Sequence, residues 1–432
     1  MGNESEALTL NGFYDTVLVR FTGEIGIKSE RVRKRLLNSL LSHLKNMLKR
    51  RGIGGHELTK TRARIYIKPA ELVQFPIIHE MLKHIPGVYS YSYCRFTDAD
   101  LESMMEAVTR LGKLLWEEGD RFAIRVKREG KHEFSSQDVE RAIGSHVLEN
   151  FGELGLKVNL DEPKKTVFLE IRQDRVAVYH QKFLGFGGMP RDNVPYVVGC
   201  VGLSENNWMA VKSIIKRGAR LFPVLVLRDL GKIKNDLVEF LNGKKQFIEK
   251  MHDLLDIQEN NKVPLFLLVV PEGLREILDA NGIKHDSKEV TLLLSYFACV
   301  KVFEDLRLNG VKYLKKPPEV RGIILNYHYE KKLDPHGLDS IVMISNSLES
   351  ILPEEALKIP KFYSNIFDLP IDASDPDLHE EHDSRAVKLK EILEDARIKD
   401  KVSSILEDFF KERRFLTFDL LEKAFLGNKE GM

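Results

Sequence analysis

Hydrophobic positions in the first part of the chain recur with two different periods. The apolar run at 17–19 is typical of a strand. A set of leucines at helical spacing predicts the helix that follows, and its members are Leu36, Leu37, Leu40, Leu44 and Leu48. Strict alternation at 64–68 and 88–93 predicts two more strands, with a short helix at 77–82 between them. This order of strand, helix, strand, helix, strand indicates a small α+β sandwich.

Two further units and a tail follow along the chain. The second unit is predicted to contain helices at 101–116 and 136–150 and strands at 121–127, 166–171 and 175–180. The third is predicted to contain strands at 196–201, 221–227 and 265–270 and helices at 207–217, 237–254 and 290–309. Strands that alternate with helices of this length favour a parallel, doubly wound sheet. Acidic residues 375–383 predict a linker, and a charged helical tail follows.

Composition narrows the class of protein. A chain of 432 residues with 43% hydrophobic and 30% charged content is typical of a globular protein with two to four domains. The net charge of +1 means that any nucleic-acid surface has to be a local patch. Cys94, Cys200 and Cys299 have no paired spacing, which argues against disulfides and a zinc site. With neither an apolar signal region nor an apolar run of roughly 18 residues, a cytoplasmic protein with no membrane partner is expected.

A basic strand and the helix start after it are the strongest candidate for chemistry. Residues 121–128 form a basic strand with four cations, and a turn with His132, Ser135 and Ser136 leads into the next helix. Cations and hydroxyls on one small surface are suited to bind phosphate backbones. The alternative is an ordinary solvated face, because strand ends and helix faces commonly expose charged residues.

These segments resemble the tRNA 4-thiouridine synthetase family, the ThiI proteins or tRNA sulfurtransferases. The first unit is similar to the family's ferredoxin-like domain through residues 19–29, with Arg31, Arg33 and Arg35 on the helix that follows. The second is similar to a THUMP domain, an RNA-binding module, through 85–88, the basic strand, 134–136, 159–163 and 167–171. The glycine-rich segment 185–190 is similar to the family's linker and is interpreted as a hinge.

The resemblance implies a fold class, a set of domains and a partner. The implied fold is α+β, with ferredoxin-like and THUMP units, followed by an α/β doubly wound PP-loop domain (ATP pyrophosphatase, HUP-like). The implied domains are 1–84, ferredoxin-like; 85–183, THUMP; 184–374, degenerate PP-loop; and 375–432, acidic linker and charged helical tail. The implied partner is tRNA at its acceptor-stem region, and a homodimer is implied as well. The predicted RNA-binding residues are Arg20, Lys28, Arg31, Arg35, Arg125, Lys127, Arg128, His132, Ser135, Ser136 and Arg141.

The third unit departs from the family in its ATP loop. The family carries serine-glycine-glycine-any-aspartate-serine there, and its glycines let backbone N–H groups approach phosphate at a helix N-terminus. In the matching register this chain has 202–207, Gly-Leu-Ser-Glu-Asn-Asn, and Glu205 adds a repelling carboxylate. The residues of the degenerate ATP loop are Gly202, Ser204, Asn206 and Asn207. ATP and Mg²⁺ are the implied cofactors if the loop still functions; no metal site of the protein's own is predicted.

Cys299 is the candidate catalytic residue, because many family members use a cysteine near this place for persulfide or disulfide chemistry. The competing interpretation is a buried cysteine on an apolar helix, which is favoured because only Lys301 supplies nearby charge. Three hypotheses follow. The first is a tRNA-binding pseudoenzyme with a lost or altered ATP site. The second is a divergent, active sulfurtransferase that makes 4-thiouridine by ATP-dependent adenylation and sulfur transfer, with a sulfur donor protein. The third is a protein-interaction role for the charged tail.

Overall fold

The structure is a computed structural model, and its backbone describes 10, 12–130, 132–191, 196–200, 211–212, 214–227, 254, 265–269, 271–284, 288–309, 320–325, 361–363, 387–389, 391–411 and 414–416. The chain forms two compact units, Met1–Pro190 and Arg191–Met432. The domain limits given by the sequence remain predictions.

The first half of the N-terminal unit has the β-α-β-β-α-β order of a ferredoxin-like domain. Its elements are β1 (Thr16–Phe21), α1 (Gly23–Gly26), α2 (Glu30–Arg50), β2 (Glu57–Lys60), β3 (Ile65–Lys68), α3 (Gln74–Lys83) and β4 (Val88–Asp98). The strands lie in the order β2-β3-β1-β4, and each neighbouring pair is antiparallel. Sequence analysis missed β2, because its side chains are mostly exposed and show no apolar alternation.

The second half of this unit continues the same sheet. Its elements are α4 (Leu101–Leu115), β5 (Arg121–Glu129), α5 (Ser136–Asn150), β6 (Lys157–Val158), β7 (Lys165–Arg172), β8 (Arg175–Tyr179) and β9 (Phe183–Leu184). β4 pairs with β1 through residues 88–94 on one edge and with β8 through residues 95–98. The full order is therefore β2-β3-β1-β4-β8-β7-β5-β6, with β9 on β4, nine strands in the described part of this unit.

One face of this sheet carries the core. Val17 and Val19 of β1, Val178 of β8 and Leu169 of β7 are buried with apolar residues of the long helices. In α2 the predicted leucines are all buried, so the helix-period prediction is confirmed. Because side chains alternate along a strand, the residues between these core positions point to the opposite face.

The glycine-rich segment predicted to be a hinge packs against β4 instead. Gly185 donates its N–H to the carbonyl of Tyr89 at 2.9 Å, and Gly187 donates to the carbonyl of Val88 at 2.7 Å. A Cβ on Gly185 would lie 2.4 Å from the Val88 carbonyl oxygen. The glycine is needed there because the two backbones approach so closely, and the segment is part of the N-terminal unit.

The second unit is built on a mostly parallel sheet. Its described strands are β10 (Tyr196–Cys200), β11 (Arg220–Leu227), β12 (Leu265–Val269), β13 (Val320–Leu325), β14 (Lys361–Tyr363) and β15 (Arg414–Leu416). Their order is β14-β13-β10-β11-β12-β15, and only the pair β12–β15 of this described sheet is antiparallel. The described long helices are α6 (Glu272–Ala280), α7 (Lys288–Asn309) and α8 (Ala396–Lys411). This is the predicted doubly wound α/β class.

The segment predicted as a charged tail is part of this second unit. Leu389, Leu393 and Val402 are buried together with residues of α7, and β15 adds a strand to the sheet. The prediction gave too much weight to the surface charges of this segment and too little to its apolar stripe. The predicted acidic linker at 375–383 lies outside the described residues. Among the helices that are described, none is long and apolar enough to cross a bilayer.

Candidate nucleic-acid interface

The face of the N-terminal sheet opposite the core is polar and aromatic. Register pairing places Lys127 of β5 beside Glu170 of β7, and Glu170 beside Ala177 of β8. We call this side the polar face and define it by Arg20, Arg125, Lys127, Phe168, Glu170, Arg172 and Tyr179. The strand at 165–172 shows why it forms: apolar positions 167, 169 and 171 face the core, and the positions between them face away.

Three arginines converge on one carboxylate at the centre of the polar face. Glu170 has a side chain that is only 2% exposed, and its Oε1 lies 2.8 Å from Arg64 Nε and 2.7 Å from Arg172 Nε. Its other oxygen lies 3.5 Å from Nη2 of Arg20. Arg20 and Arg64 belong to the ferredoxin-like part, whereas Glu170 and Arg172 belong to the THUMP-like part. The cluster therefore ties the two parts together at the polar face.

Aromatic rings support these cations. The guanidinium of Arg20 lies 4.8 Å from the ring centroid of Tyr179, and Nζ of Lys182 lies 3.8 Å from that of Phe168. The two rings stack on each other at 5.2 Å. Cations over aromatic faces are attracted by the ring quadrupole, so these rings hold cationic side chains flat against the sheet.

Ionisation at the polar face follows from burial and from the excess of cations. Burial alone would raise the pKa of the Glu170 carboxyl, but Arg64 and the hydrogen bond from Arg172 outweigh it and hold the pKa below its ordinary value. Burial raises the pKa of Tyr179 to about 12. Partial burial, followed by repulsion from Arg20, lowers the pKa of Lys182.

Cations outnumber carboxylates around Glu170. Its cationic neighbours on this face are Arg20, Arg64, Lys127, Arg172 and Lys182, and the other carboxylate is Glu129, which accepts a hydrogen bond from Arg172. Of these cations, Lys127 and Lys182 are exposed. Such a surface attracts a polyanion and presents exposed ammonium groups to it.

The predicted corner between β5 and α5 forms, but most of its polar groups are used internally. The Asp138 N–H donates to Ser135 Oγ at 3.2 Å, and the Ser135 N–H donates to the Asp138 carboxylate at 3.0 Å, which is a capping box. The Ser135 hydroxyl also donates to this carboxylate, at 2.6 Å. Nη1 of Arg128 donates to the carbonyl of His132 at 3.1 Å. His132 Nε2 lies 2.8 Å from the carbonyl of Gln173. These contacts shape the corner rather than leaving donors free for a ligand.

The remaining predicted residues lie in three places. Lys28, Arg31 and Arg35 are exposed around the start of α2, and Arg31 and Arg35 are four positions apart, hence on one side of the helix. On α5, Ser136 is partly exposed and Arg141 is exposed. Arg125, on the polar face, donates to the carbonyl of Leu160. The structure thus distributes the predicted residues over the polar face, the α5 corner and the α2 start.

Arg64, Arg172 and Lys182 were missed by sequence analysis. Their partners are distant in sequence, so no local motif marks them. One signal was present: Val167, Leu169 and Ile171 recur at every second position of the strand, which puts Phe168, Glu170 and Arg172 on the side away from the core.

The described residues of the second unit do not include the predicted ATP loop, so they show no site that combines the loop with Cys299. The loop residues Gly202, Ser204, Asn206 and Asn207 lie outside the described residues. Cys299 lies in α7 and is fully buried, packed in the same core as Phe297, Val302 and Phe303. This environment is the one expected from the interpretation of Cys299 as a small core hydrophobe.

Comparison with known proteins gives the class first. The ThiI ferredoxin-like domain model matches residues 16–92, and the THUMP domain model matches residues 98–181. The protein is thus a THUMP-domain protein whose N-terminal unit joins a THUMP domain to a ferredoxin-like domain, with an α/β unit after it.

Curated proteins similar to this chain are tRNA sulfurtransferases. A probable tRNA sulfurtransferase of Methanosarcina acetivorans is 34% identical over 212 residues, which are 49% of this chain and 50% of the relative. The tRNA sulfurtransferase of Pectobacterium carotovorum is 30% identical over 214 residues, 47% of this chain and 42% of the relative. Together with the two domain models, these matches confirm the predicted resemblance to the ThiI family of tRNA sulfurtransferases. The chain spans about half the length of the curated relatives it matches.

Solved structures support the fold class. A crystal structure of a 4-thiouridine synthetase–RNA complex with bound ATP covers 94% of this chain and 99% of its own, with a TM-score of 0.55 and 16% identity. A Pyrococcus horikoshii protein covers 81% of this chain and 93% of its own, with a TM-score of 0.54 and 19% identity. The predicted fold class, ferredoxin-like and THUMP domains followed by a PP-loop type α/β domain, is confirmed.

Proposed function

We propose that this protein binds tRNA through its ferredoxin-like and THUMP domains and that the ATP site of its second unit is lost or altered. The observation that carries the proposal is the cation excess on the polar face, which spans both domains of a unit matched by the THUMP model. Its relatives are tRNA sulfurtransferases, which supports tRNA as the RNA.

Recognition by this surface depends on shape and phosphate more than on base sequence. The cations of the polar face sit on a rigid sheet, and double-stranded RNA offers side chains its phosphates and 2′-hydroxyls rather than readable base edges. The acceptor stem is a short A-form helix that ends in single-stranded nucleotides, so it fits a surface that combines cations with aromatic rings. A cytoplasmic location and a homodimer belong to the same proposal.

The second part of the proposal concerns ATP. In residues 202–207 both glycines of the family's loop are replaced, Gly202 stands where the family has its first serine, and Glu205 adds a carboxylate, a composition poorly suited to cradle phosphate. Cys299 is buried, and a reactive thiolate needs an accessible, electropositive setting. Both observations favour a tRNA-binding protein without sulfur transfer of its own.

An active tRNA sulfurtransferase is the second candidate, and the sheet order favours it. β10 lies between β11 and β13, so chain connections run in opposite directions from it, and 201–207 follow its carboxyl end. Ligands of open α/β sheets bind at such a switch point. The solved 4-thiouridine synthetase contains ATP. In this alternative, ATP with Mg²⁺ activates a uridine carbonyl, and a sulfur donor protein supplies the sulfur.

Titration of fluorescent tRNA at several salt concentrations tests the binding claim. We expect the Lys127→Glu protein to bind more weakly, with a slope of log affinity against log salt flatter by about one. The matched control is Lys113→Glu, an exposed lysine of α4 on the core side of the sheet, which should change little. Equal effects of both variants, or no tRNA binding by the unaltered protein, would refute the proposed surface.

Calorimetry with ATP and Mg²⁺, in the presence and absence of tRNA, tests the ATP claim. No binding heat in either condition is expected. Micromolar binding that is lost in the Asn206→Ala protein would replace the proposal with the active sulfurtransferase.

A further inference from the structure

A second basic surface lies at the other end of the N-terminal sheet. The first turns of α2 and the turn between β2 and β3 enclose an open groove of about 450 Å³. This volume lies within the range of about 300–1,000 Å³ that ligand pockets occupy. The groove shares no lining residue with the polar face, and its lining residues include Lys60, Thr61 and Arg62, which the sequence motifs do not mark.

The walls of this groove carry opposed rows of cations. Arg33 and Lys34 contribute from α2, and Lys60 and Arg62 contribute from the strand end and its turn. Glu30 is the carboxylate among the lining residues, and it accepts a hydrogen bond from Arg33. The groove therefore has an excess of three positive charges.

Two of these cations, Lys34 and Arg62, are available to a ligand. Lys60 is not one of them, because its Nζ donates to Oδ1 of Asn38 at 2.9 Å. Lys34 and Arg62 are exposed and make no ion pair with any residue in the described part of the chain. They face the groove from its two walls, so an anion between them is contacted from both sides.

The turn that carries Arg62 is held firmly. The Thr61 hydroxyl oxygen accepts the Arg64 N–H at 3.1 Å, and the Thr61 N–H donates to the Arg64 carbonyl at 2.8 Å. Arg64 in turn is anchored on Glu170 of the polar face. The floor of the groove is apolar, since Leu37 is only 8% exposed. Cations above an apolar floor match a sugar–phosphate chain, which alternates charged and less polar segments.

We propose that this groove, the α2–hairpin groove, binds the phosphodiester backbone of the tRNA, as a second contact beyond the polar face. The inference rests on the proposed tRNA binding and deepens it. Thr61 and Arg62, at the start of the turn, line the groove, and Arg64, at its end, pairs with Glu170. The groove and the polar face are therefore held at a fixed separation. An RNA backbone that contacts both the polar face and the groove is selected by its length and shape, as expected for recognition of a structured RNA.

Neutralising the two available cations measures the contribution of the groove. At 0.1 M salt, release of counterions is worth about eightfold in affinity per phosphate contact. The Lys34→Ala/Arg62→Ala protein should therefore bind tRNA roughly sixtyfold more weakly, with a salt slope flatter by about two. Lys45→Ala/Lys49→Ala is the matched control: both lysines are exposed on the same helix, and Lys45 lies about 16 Å along it from Lys34. The control should keep the affinity and slope of the unaltered protein.

Footprinting tests the same contact without any substitution. Bound tRNA should protect Lys34 and Lys60 from acetylation by an N-hydroxysuccinimide ester and leave Lys45 and Lys49 reactive. If the unaltered protein binds tRNA while groove and control variants have equal slopes, or the four lysines are protected equally, the groove is refuted and the proposed function stands. If the unaltered protein does not bind tRNA at all, both proposals fail.

Discussion

Replacement of Glu170 by alanine tests how strongly the arginine cluster holds the N-terminal unit together. The carboxylate is 2% exposed and faces three guanidinium groups, whose side chains are 11%, 12% and 16% exposed. Removal of one partner of a buried ion pair typically costs about 3–5 kcal/mol, because the other charge stays buried without compensation. Since the arginines retain some contact with water, we expect the lower limit, about 3 kcal/mol.

Urea denaturation followed by tryptophan fluorescence measures this loss. The chain has two tryptophans, and a Trp208→Phe background leaves Trp116, which packs against Phe122 at 5.1 Å in the N-terminal unit, as the reporter. With a urea dependence of about 2 kcal/mol per molar, the midpoint should fall by about 1.5 M. Glu129→Ala is the control, because that carboxylate is 57% exposed and its pair with Arg172 is worth less than about 1 kcal/mol.

A midpoint shift in the Glu170→Ala protein no larger than that of the Glu129→Ala protein would refute the argument. It would mean that the arginines are solvated well enough to do without the carboxylate. The Glu170→Gln protein separates charge from shape, because the amide keeps an acceptor oxygen but no charge. We expect its urea midpoint to lie between those of the alanine variant and the unaltered protein.

Three further outcomes follow from the same unit. Because the pKa of Glu170 is held below its ordinary value of 4.5, its contribution to the free energy of unfolding should be complete above about pH 5 and decline as the pH falls through the folded-state pKa. Unfolding at several pH values should therefore show that the Glu170→Gln protein loses less stability in acid than the unaltered protein. Ser135→Ala should cost about 1 kcal/mol and speed amide exchange in the first turn of α5, whereas unchanged exchange would argue against the capping box. Gly112→Ala should cost about 1–3 kcal/mol in thermal unfolding, because its Cβ would lie 2.7 Å from Trp116, whereas Gly144→Ala, with open space around it, should stabilise α5 by up to about 1 kcal/mol.

Sequence patterns predicted a helix well where a capping residue marked its first turn. The helix predicted at 136–150 is α5, because Ser135 begins it with a capping box that is visible in the sequence. β2 was missed because an edge strand with exposed side chains has no apolar pattern. The C-terminal segment was taken for a separate tail because its charges are local, whereas the burial of Leu389 and Leu393 depends on α7.

The candidate interface was predictable only in part. Lys127 was found because a basic strand is a local feature. Arg20 was predicted as an RNA ligand, yet its guanidinium lies beside Glu170 and Tyr179, residues that follow it by 150 and 159 positions. Pairing over such distances is decided by sheet topology, which periodicity does not reveal. The same reason explains why Arg64 and Arg172 were missed.

The continuity of β4 has a consequence for work with fragments. Its first residues pair with β1 and its last residues with β8, so a cut between the residues that pair with β1 and those that pair with β8 leaves each piece with a half-strand. Either piece would present a newly unpaired sheet edge, which is a template for aggregation. Torque applied by RNA at one end of the sheet would pass directly to the other through this single strand. The two domains are therefore better regarded as one continuous sheet than as two separate modules joined by a linker.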